Sequence, residues 1–186
     1  MPTEPGPARE ALLDRCLEFL RQNGFSQLSL REIAAGAGTS HRMLLYHFGS
    51  REGLLAAIVG AVEEQQRAVL EALSEEGDPA DVMLRLWEQV SQPALRPYVR
   101  LFFATVGLAV QGVPGTQTLL DNLTTPWLEQ GGEAARRLGV PADPAAIRLG
   151  VAVSRGLLLE LLAGAAPADV DASYRLFVEM SRRWAQ

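Results

Sequence analysis

With 186 residues, 48% of them hydrophobic, and a formal net charge of −5, the chain can build one large core or a small domain joined to a larger one. Charged residues interrupt every apolar run before it reaches the roughly 18 residues that a membrane span needs, so no membrane partner is expected. The start, MPTEPGPARE, fits neither a secretory signal nor a transit peptide, and the expected location is cytoplasmic. One cysteine, Cys16, cannot form an internal disulfide, and with only His41 and His47 for company it gives no zinc site; no metal or other cofactor is expected. The acidic balance counts against a nucleic-acid binder taken as a whole, but it is uneven. Residues 1–60 hold six Arg against six acids and residues 61–186 eleven against sixteen, while 26–51 hold three Arg and one Glu.

In chain order the apolar spacing is helical from Ala8 onward and no run reads as a strand, so the fold class is all-α. Leu12, Leu13, Cys16, Leu17 and Leu20 form one stripe of a first helix, Asn23-Gly24 stops it, and Phe25 is expected to carry the chain back toward the stripe. Ser29 followed by Glu32 is a capping-box pattern for a short second helix through Ile33 and Ala34, broken by Gly36, Ala37 and Gly38. Thr39-Ser40 offers the next cap; Leu44 and Phe48, four apart, share the inner face of a third helix ending at Gly49. Ser50 opens a fourth, running to about Leu73 with Gly53 and Gly60 as its weak positions. Asp78-Pro79 and further punctuation at Pro93, Pro97, Gly112 to Gly115, Pro126, Gly131-Gly132, Asp143-Pro144 and Pro167 divide the rest into five or six helices, of which 145–162 and 171–184 are the clearest.

A longer bracing helix followed by two short ones across a glycine turn is a helix-turn-helix pattern, whose second helix can enter the major groove. The stretch LSLREIAAGAGTSHRMLLYHFGSREGLL, residues 28–55, closely resembles the DNA-binding signature of the tetracycline-repressor (TetR) family. The resemblance implies an N-terminal DNA-binding domain over 1–50, with 50–55 contributing, and a helical ligand-binding and dimerisation domain over 51–186. It implies that Arg31, His41 and Arg42 approach base edges and that Ser29, Met43, Tyr46, His47 and Arg51 lie near phosphates, with Ser40 capping the reading helix and Leu45 flanking it. Many members have Gly or Pro at the position of Arg42, Thr or Ala at Met43, and Tyr at Leu45, so two phosphate hydroxyls are missing here. A bidentate contact from Arg42 to guanine is one compensation.

The family implication for the second part is a homodimer on palindromic double-stranded operator DNA, released by a small hydrophobic or aromatic effector. Gly150, Ser154, Leu157, Leu158, Leu161, Tyr174, Phe177, Val178 and Ser181 on the last two helices are the candidate interface; the other reading is that they close the protomer's own core. Trp87, Tyr98, Phe102, Phe103, Thr105, Gln111 and Trp127 are the candidate effector-site residues, with plain core as the other reading. Glu63 and Arg67 either reach that site from the fourth helix or pair with each other at four-residue spacing. GxSxG, HExxH and the phosphate-binding GxxxxGK[ST] are absent, and Gly36-Ala37-Gly38 lacks the third glycine and strand of a dinucleotide site, so an enzyme is not expected. The alternative function is an all-α dimer that binds a ligand or partner without binding an operator.

Overall fold

The computed structural model describes residues 6–24 and 28–184, with side chains up to 182, so the expectation for Phe25 lies outside the described residues. Among these the chain is all-α: α1 (Pro7–Asn23), α2 (Leu30–Gly36), α3 (His41–Phe48), α4 (Arg51–Leu73), α5 (Pro79–Ser91), a 3-10 turn (Pro93–Leu95), α6 (Arg96–Val110), α7 (Gln117–Asp121), α8 (Thr125–Arg137), α9 (Pro144–Ala163) and α10 (Pro167–Trp184). They group into two compact units, Met1–Val62 with Arg100–Leu120, and Glu63–Val99 with Asp121–Gln186. The grouping divides α4 between Val62 and Glu63, so this one continuous helix belongs to both units.

In the first unit the α1 stripe is buried at Leu12, Cys16, Leu17 and Leu20, as are Ile33 and Ala34 of α2 and Leu44 and Phe48 of α3. Cys16 is fully enclosed, and burial pushes its thiol up to about 11, which leaves it an inert packing group. The α2–α3 turn is fixed by Gly38, whose φ of 62° suits glycine, and by Gly36, where a Cβ would enter the ring of Phe19 on α1. Arg15 Nε donates to the Ala37 carbonyl at 3.0 Å and ties the same turn to α1. Gly53 is helix-weak for a reason: a Cβ there would strike the carbonyl oxygen of Phe48, so α4 can start this close to the end of α3 only with glycine.

The second unit has its core where α10 packs on α5 and α9: Ala80, Trp87, Leu161, Val170, Tyr174, Phe177 and Val178, flanked by Leu84, Val153 and Leu157. Asp78 caps α5 by accepting from the Ala80 N–H at 2.8 Å, and also accepts from Arg182 at 2.7 Å, clamping the end of α10 to the start of α5. Two sequence expectations are corrected here. Gly131-Gly132 is not a break but lies inside α8, because a Cβ at Gly131 would come 2.7 Å from Ile147 Cγ2 of α9; the glycine permits helix approach. The last helix starts at Pro167, four residues before the expected 171, since Pro suits a first turn whose N–H groups have no intrahelical partner.

Candidate functional site

The short α3 carries the first candidate surface. Ser29 Oγ accepts from the Glu32 N–H at 3.3 Å while the Glu32 carboxylate accepts from the Ser29 N–H at 2.7 Å, a reciprocal box that starts α2. Ser40 Oγ accepts from the Met43 N–H at 3.2 Å and starts α3, and Ser50 Oγ accepts from the Gly53 N–H at 2.9 Å at the head of α4. With Leu44 and Phe48 docked inward, the rest of α3 faces water: His41 and Arg42 are exposed, as are Met43, Leu45 and, at 78%, Tyr46. An exposed tyrosine beside an exposed methionine and leucine is unusual on a surface with no partner. His47 is half-buried, its ring edge-on to Tyr46 with centroids 5.0 Å apart. Ser29 and Arg31 are exposed on α2, and Arg51 is half-buried at the N-terminus of α4, a position where helix dipole and cation both favour an anion. The surface thus holds Arg31, Arg42 and Arg51, while the neighbouring Glu32 carboxylate is committed to its cap.

Sequence reasoning missed Arg9. Its Nε donates to the His47 carbonyl at 3.3 Å and its guanidinium lies 4.9 Å from the centre of the Phe48 ring, bracing α3 from α1. Nothing in local spacing announces a partner 38 residues away.

The second candidate surface is a polar cluster in the second unit. Glu63 on α4 accepts from Trp127 Nε1 at 2.8 Å, from Tyr98 Oη at 3.5 Å and from Arg155 at 3.3 Å; Arg155 also donates to the Leu123 carbonyl at 2.6 Å. The Glu63 and Arg155 side chains are only 15% and 20% exposed. Burial raises the Tyr98 hydroxyl well above its ordinary value, helped by the neighbouring Glu63 charge, and burial lowers Arg155 against the opposing pull of Glu63. Arg67 lies over the Trp127 ring at 5.9 Å. Four of the candidate residues, Glu63, Arg67, Tyr98 and Trp127, therefore meet, and Arg155 on α9, absent from the sequence reading, completes them. Glu63 is bridged by Arg155 rather than by Arg67.

The other candidates lie elsewhere. Trp87 stacks on Tyr174 with centroids 4.5 Å apart and donates to Asp171 at 2.8 Å, which makes it part of the α5–α9–α10 core. Phe102, Phe103, Thr105 and Gln111 belong to the first unit: Phe102 is buried edge-on to the half-buried Phe103, Thr105 bonds to the Leu101 carbonyl inside α6, and Gln111 is exposed. Among the described residues no cluster of His, Cys, Asp and Glu could hold a metal ion, and no helix is long and apolar enough to cross a membrane.

On α9 and α10, Leu161, Tyr174, Phe177 and Val178 are buried within the protomer, while Gly150, Ser154, Leu157, Leu158 and Ser181 are half-buried. Ser154 and Ser181 spend their hydroxyls on the carbonyls of Gly150 and Phe177. The outward apolar face is a different set: Leu149 and Leu159 on α9 and Leu176 and Met180 on α10 are 42%, 51%, 59% and 44% exposed. Ala152 and Gly156, also exposed, continue the α9 stripe at spacings of three and four. The α9 helix is apolar around most of its circumference, so periodicity alone does not separate its inner face from its outer.

Residues 12–58 match the family described as bacterial regulatory proteins, tetR family. Over 170 residues the chain is 28% identical to the HTH-type transcriptional regulatory protein RaaS of Mycobacterium tuberculosis, covering 90% of this chain and 78% of RaaS. Its N-terminal part is 35% identical to the HTH-type transcriptional regulator UidR of Escherichia coli over 69 residues, which is 37% of this chain and 34% of UidR. The solved structure of a TetR-family transcriptional regulator from Pectobacterium atrosepticum has the same fold, with a TM-score of 0.72 at 20% identity, covering 100% of this chain and 97% of that one. The multidrug binding protein EbrR complexed with proflavin superposes with a TM-score of 0.63 at 25% identity over 93% of this chain and 98% of its own. The helix-turn-helix read from residue spacing, its geometry and these likenesses agree: residues 12–58 match the tetR family of bacterial regulatory proteins, and the chain has the fold of solved TetR-family regulators.

Proposed function

We propose that the protein is a cytoplasmic transcriptional regulator that binds a palindromic operator as a homodimer, represses from it, and leaves it when a small molecule binds the second unit. The observation that carries this reading is the outward face of α3, where Arg42, Met43, Leu45 and Tyr46 are exposed on a helix held rigidly by Leu44, Phe48 and Arg9. Base edges are read by Arg31, His41 and Arg42; phosphates are met by Ser29, Met43, Tyr46, His47 and Arg51. A palindrome requires two reading helices about 34–36 Å apart, hence a dimer, and the exposed stripe Leu149, Ala152, Gly156 and Leu159 with Leu176 and Met180 supplies an apolar face for a four-helix bundle.

The effector is bound around Glu63, Tyr98, Trp127 and Arg155. That EbrR forms a complex with proflavin supports a small-molecule site in this fold. Because α4 carries Glu63 and also begins at Arg51 in the reading unit, a ligand that shifts α4 is felt at the operator. Linkage makes the coupling reciprocal, so operator DNA weakens ligand binding by the same factor, typically about 5–150-fold.

The test is selection of random duplexes by the purified full chain, followed by fluorescence anisotropy at two salt concentrations. Selective enrichment of a palindrome and weaker binding at higher salt are expected. No enrichment would leave the ligand-binding dimer without an operator as the function.

A further inference from the structure

The geometry points to an organic anion, a carboxylate on an aromatic or acyl body, as the effector bound by the Glu63 cluster, with Arg67 as its counter-ion. The inference rests on the proposal that this cluster is the effector site, and adds the ligand's charge. Each oxygen of the Glu63 carboxylate is already committed: Oε1 to Tyr98, Oε2 to Trp127 and to Arg155. A cationic ligand seeking Glu63 would have to displace Arg155 and leave its guanidinium, 20% exposed, without its counter-charge. Arg67 is placed differently. Among the described residues it forms no ion pair; its guanidinium lies over the Trp127 indole, half-buried, one helical turn from Glu63. Glu71, its neighbour one turn further along α4, is taken by Arg137 at 3.1 Å. The cluster of Glu63, Arg155 and Arg67 therefore carries one cation more than it has carboxylates.

A second observation lies on the same helix face. Gln66, three residues after Glu63 and therefore on the Glu63 side of α4, is 8% exposed, and its buried Oε1 has no hydrogen-bond partner. A buried acceptor left unpaired is destabilising unless something supplies a donor. A ligand that brings a carboxylate to Arg67, a flat apolar body to the partly exposed Trp127 and an O–H or N–H to Gln66 answers all three features.

Isothermal titration of the DNA-free full chain with three probes of one shape and three charges tests this: phenylpropanoate, phenylpropylamine and phenylpropanol. The acid is expected to bind roughly tenfold more tightly than the alcohol, and the amine more weakly than either. In Arg67→Gln the ratio of acid to alcohol affinity should collapse toward one, while Arg67→Lys, which keeps the charge, should retain most of it; thermal melts confirm that both variants fold. An amine that binds at least as tightly as the acid, or an acid preference that survives Arg67→Gln, overturns the anion assignment while leaving the effector site standing. No heat from any probe up to about 10 mM overturns the site and the assignment together. Operator binding, scored separately on the same preparations, is untouched by either result.

Discussion

The two candidate surfaces are built in opposite ways. The reading face of α3 is assembled from one contiguous stretch of chain, 29–51, and its polar groups point to water, held by a few apolar anchors and three serine caps. The Glu63 cluster draws on α4, α6, α8 and α9, and its polar groups are largely withdrawn from water and satisfied by one another. The first surface is cheap to change and hard to collapse, because exposed side chains contribute little to stability. The second is costly to change one residue at a time, because Glu63, Arg155, Tyr98 and Trp127 are one another's counter-charge, donor or acceptor. A surface proposed to read an external polymer and one proposed to respond to a small molecule differ in this way on general grounds.

The largest expected effect is on the anchors beneath the reading face. Leu44 is fully buried, and Leu44→Ala should cost about 2–5 kcal/mol, read by urea denaturation. Hydrogen exchange should show the loss concentrated in α1 to α3, with α9 and α10 still protected; uniform loss would mean that the two units unfold as one. Next comes Glu63→Ala, which strands Arg155 and should cost about 2–4 kcal/mol, whereas the double replacement Glu63→Leu with Arg155→Met should cost much less than the single change. A double variant worse than Glu63→Ala would sink the view of the cluster as a mutually dependent pair.

Smaller effects sharpen the contrast from the DNA side. Arg42→Ala, at an exposed position, should leave the melting temperature nearly unchanged, weaken operator binding by about 1–3 kcal/mol and relax the base preference at one position. Unchanged sequence preference would move Arg42 to the phosphates. Ser40→Ala removes the cap of α3 and should cost about 1 kcal/mol of stability.

How much of this was legible in the sequence follows from the range of the interactions involved. The short helices of the reading unit are encoded by rules that act within one turn: the box from Ser29 to Glu32, the cap at Ser40, the inward pair Leu44 and Phe48. Arg155 was invisible because its partner lies 92 residues away. Two of the three tryptophans make the same point. Trp87 and Trp127 look alike in sequence, and only their distant acceptors, Asp171 for one and Glu63 for the other, sort core from site. For α9, apolar on nearly every side, the inner and outer faces were separable only once α8 and α10 had covered part of it. Glycines read as breaks divided in the same fashion: Gly38 and Gly49 do take positive φ, but Gly131 sits inside α8, where the Ile147 side chain leaves no space for a Cβ.

The mildest expected effect tests the same contrast by pH, because each unit holds a carboxylate at a helix start whose pKa lies below its ordinary value. In the first, the Ser29 hydroxyl and then its backbone N–H hold Glu32 below the usual 4.5; in the second, Arg182 first and then the Ala80 N–H hold Asp78 below the usual 3.8. Both folded values are depressed, so the stability they contribute is fully present above those ordinary values and is lost as pH falls through the folded ones. Glu32 should therefore begin to lose its contribution at a higher pH than Asp78. Both groups are exposed, so the changes are small and best seen as differences between melting curves from about pH 6 to about pH 3. Glu32→Gln should flatten the upper part of that dependence and leave the lower part, and Asp78→Asn should do the reverse. If both variants track the wild type in parallel, the acid sensitivity lies in neither cap.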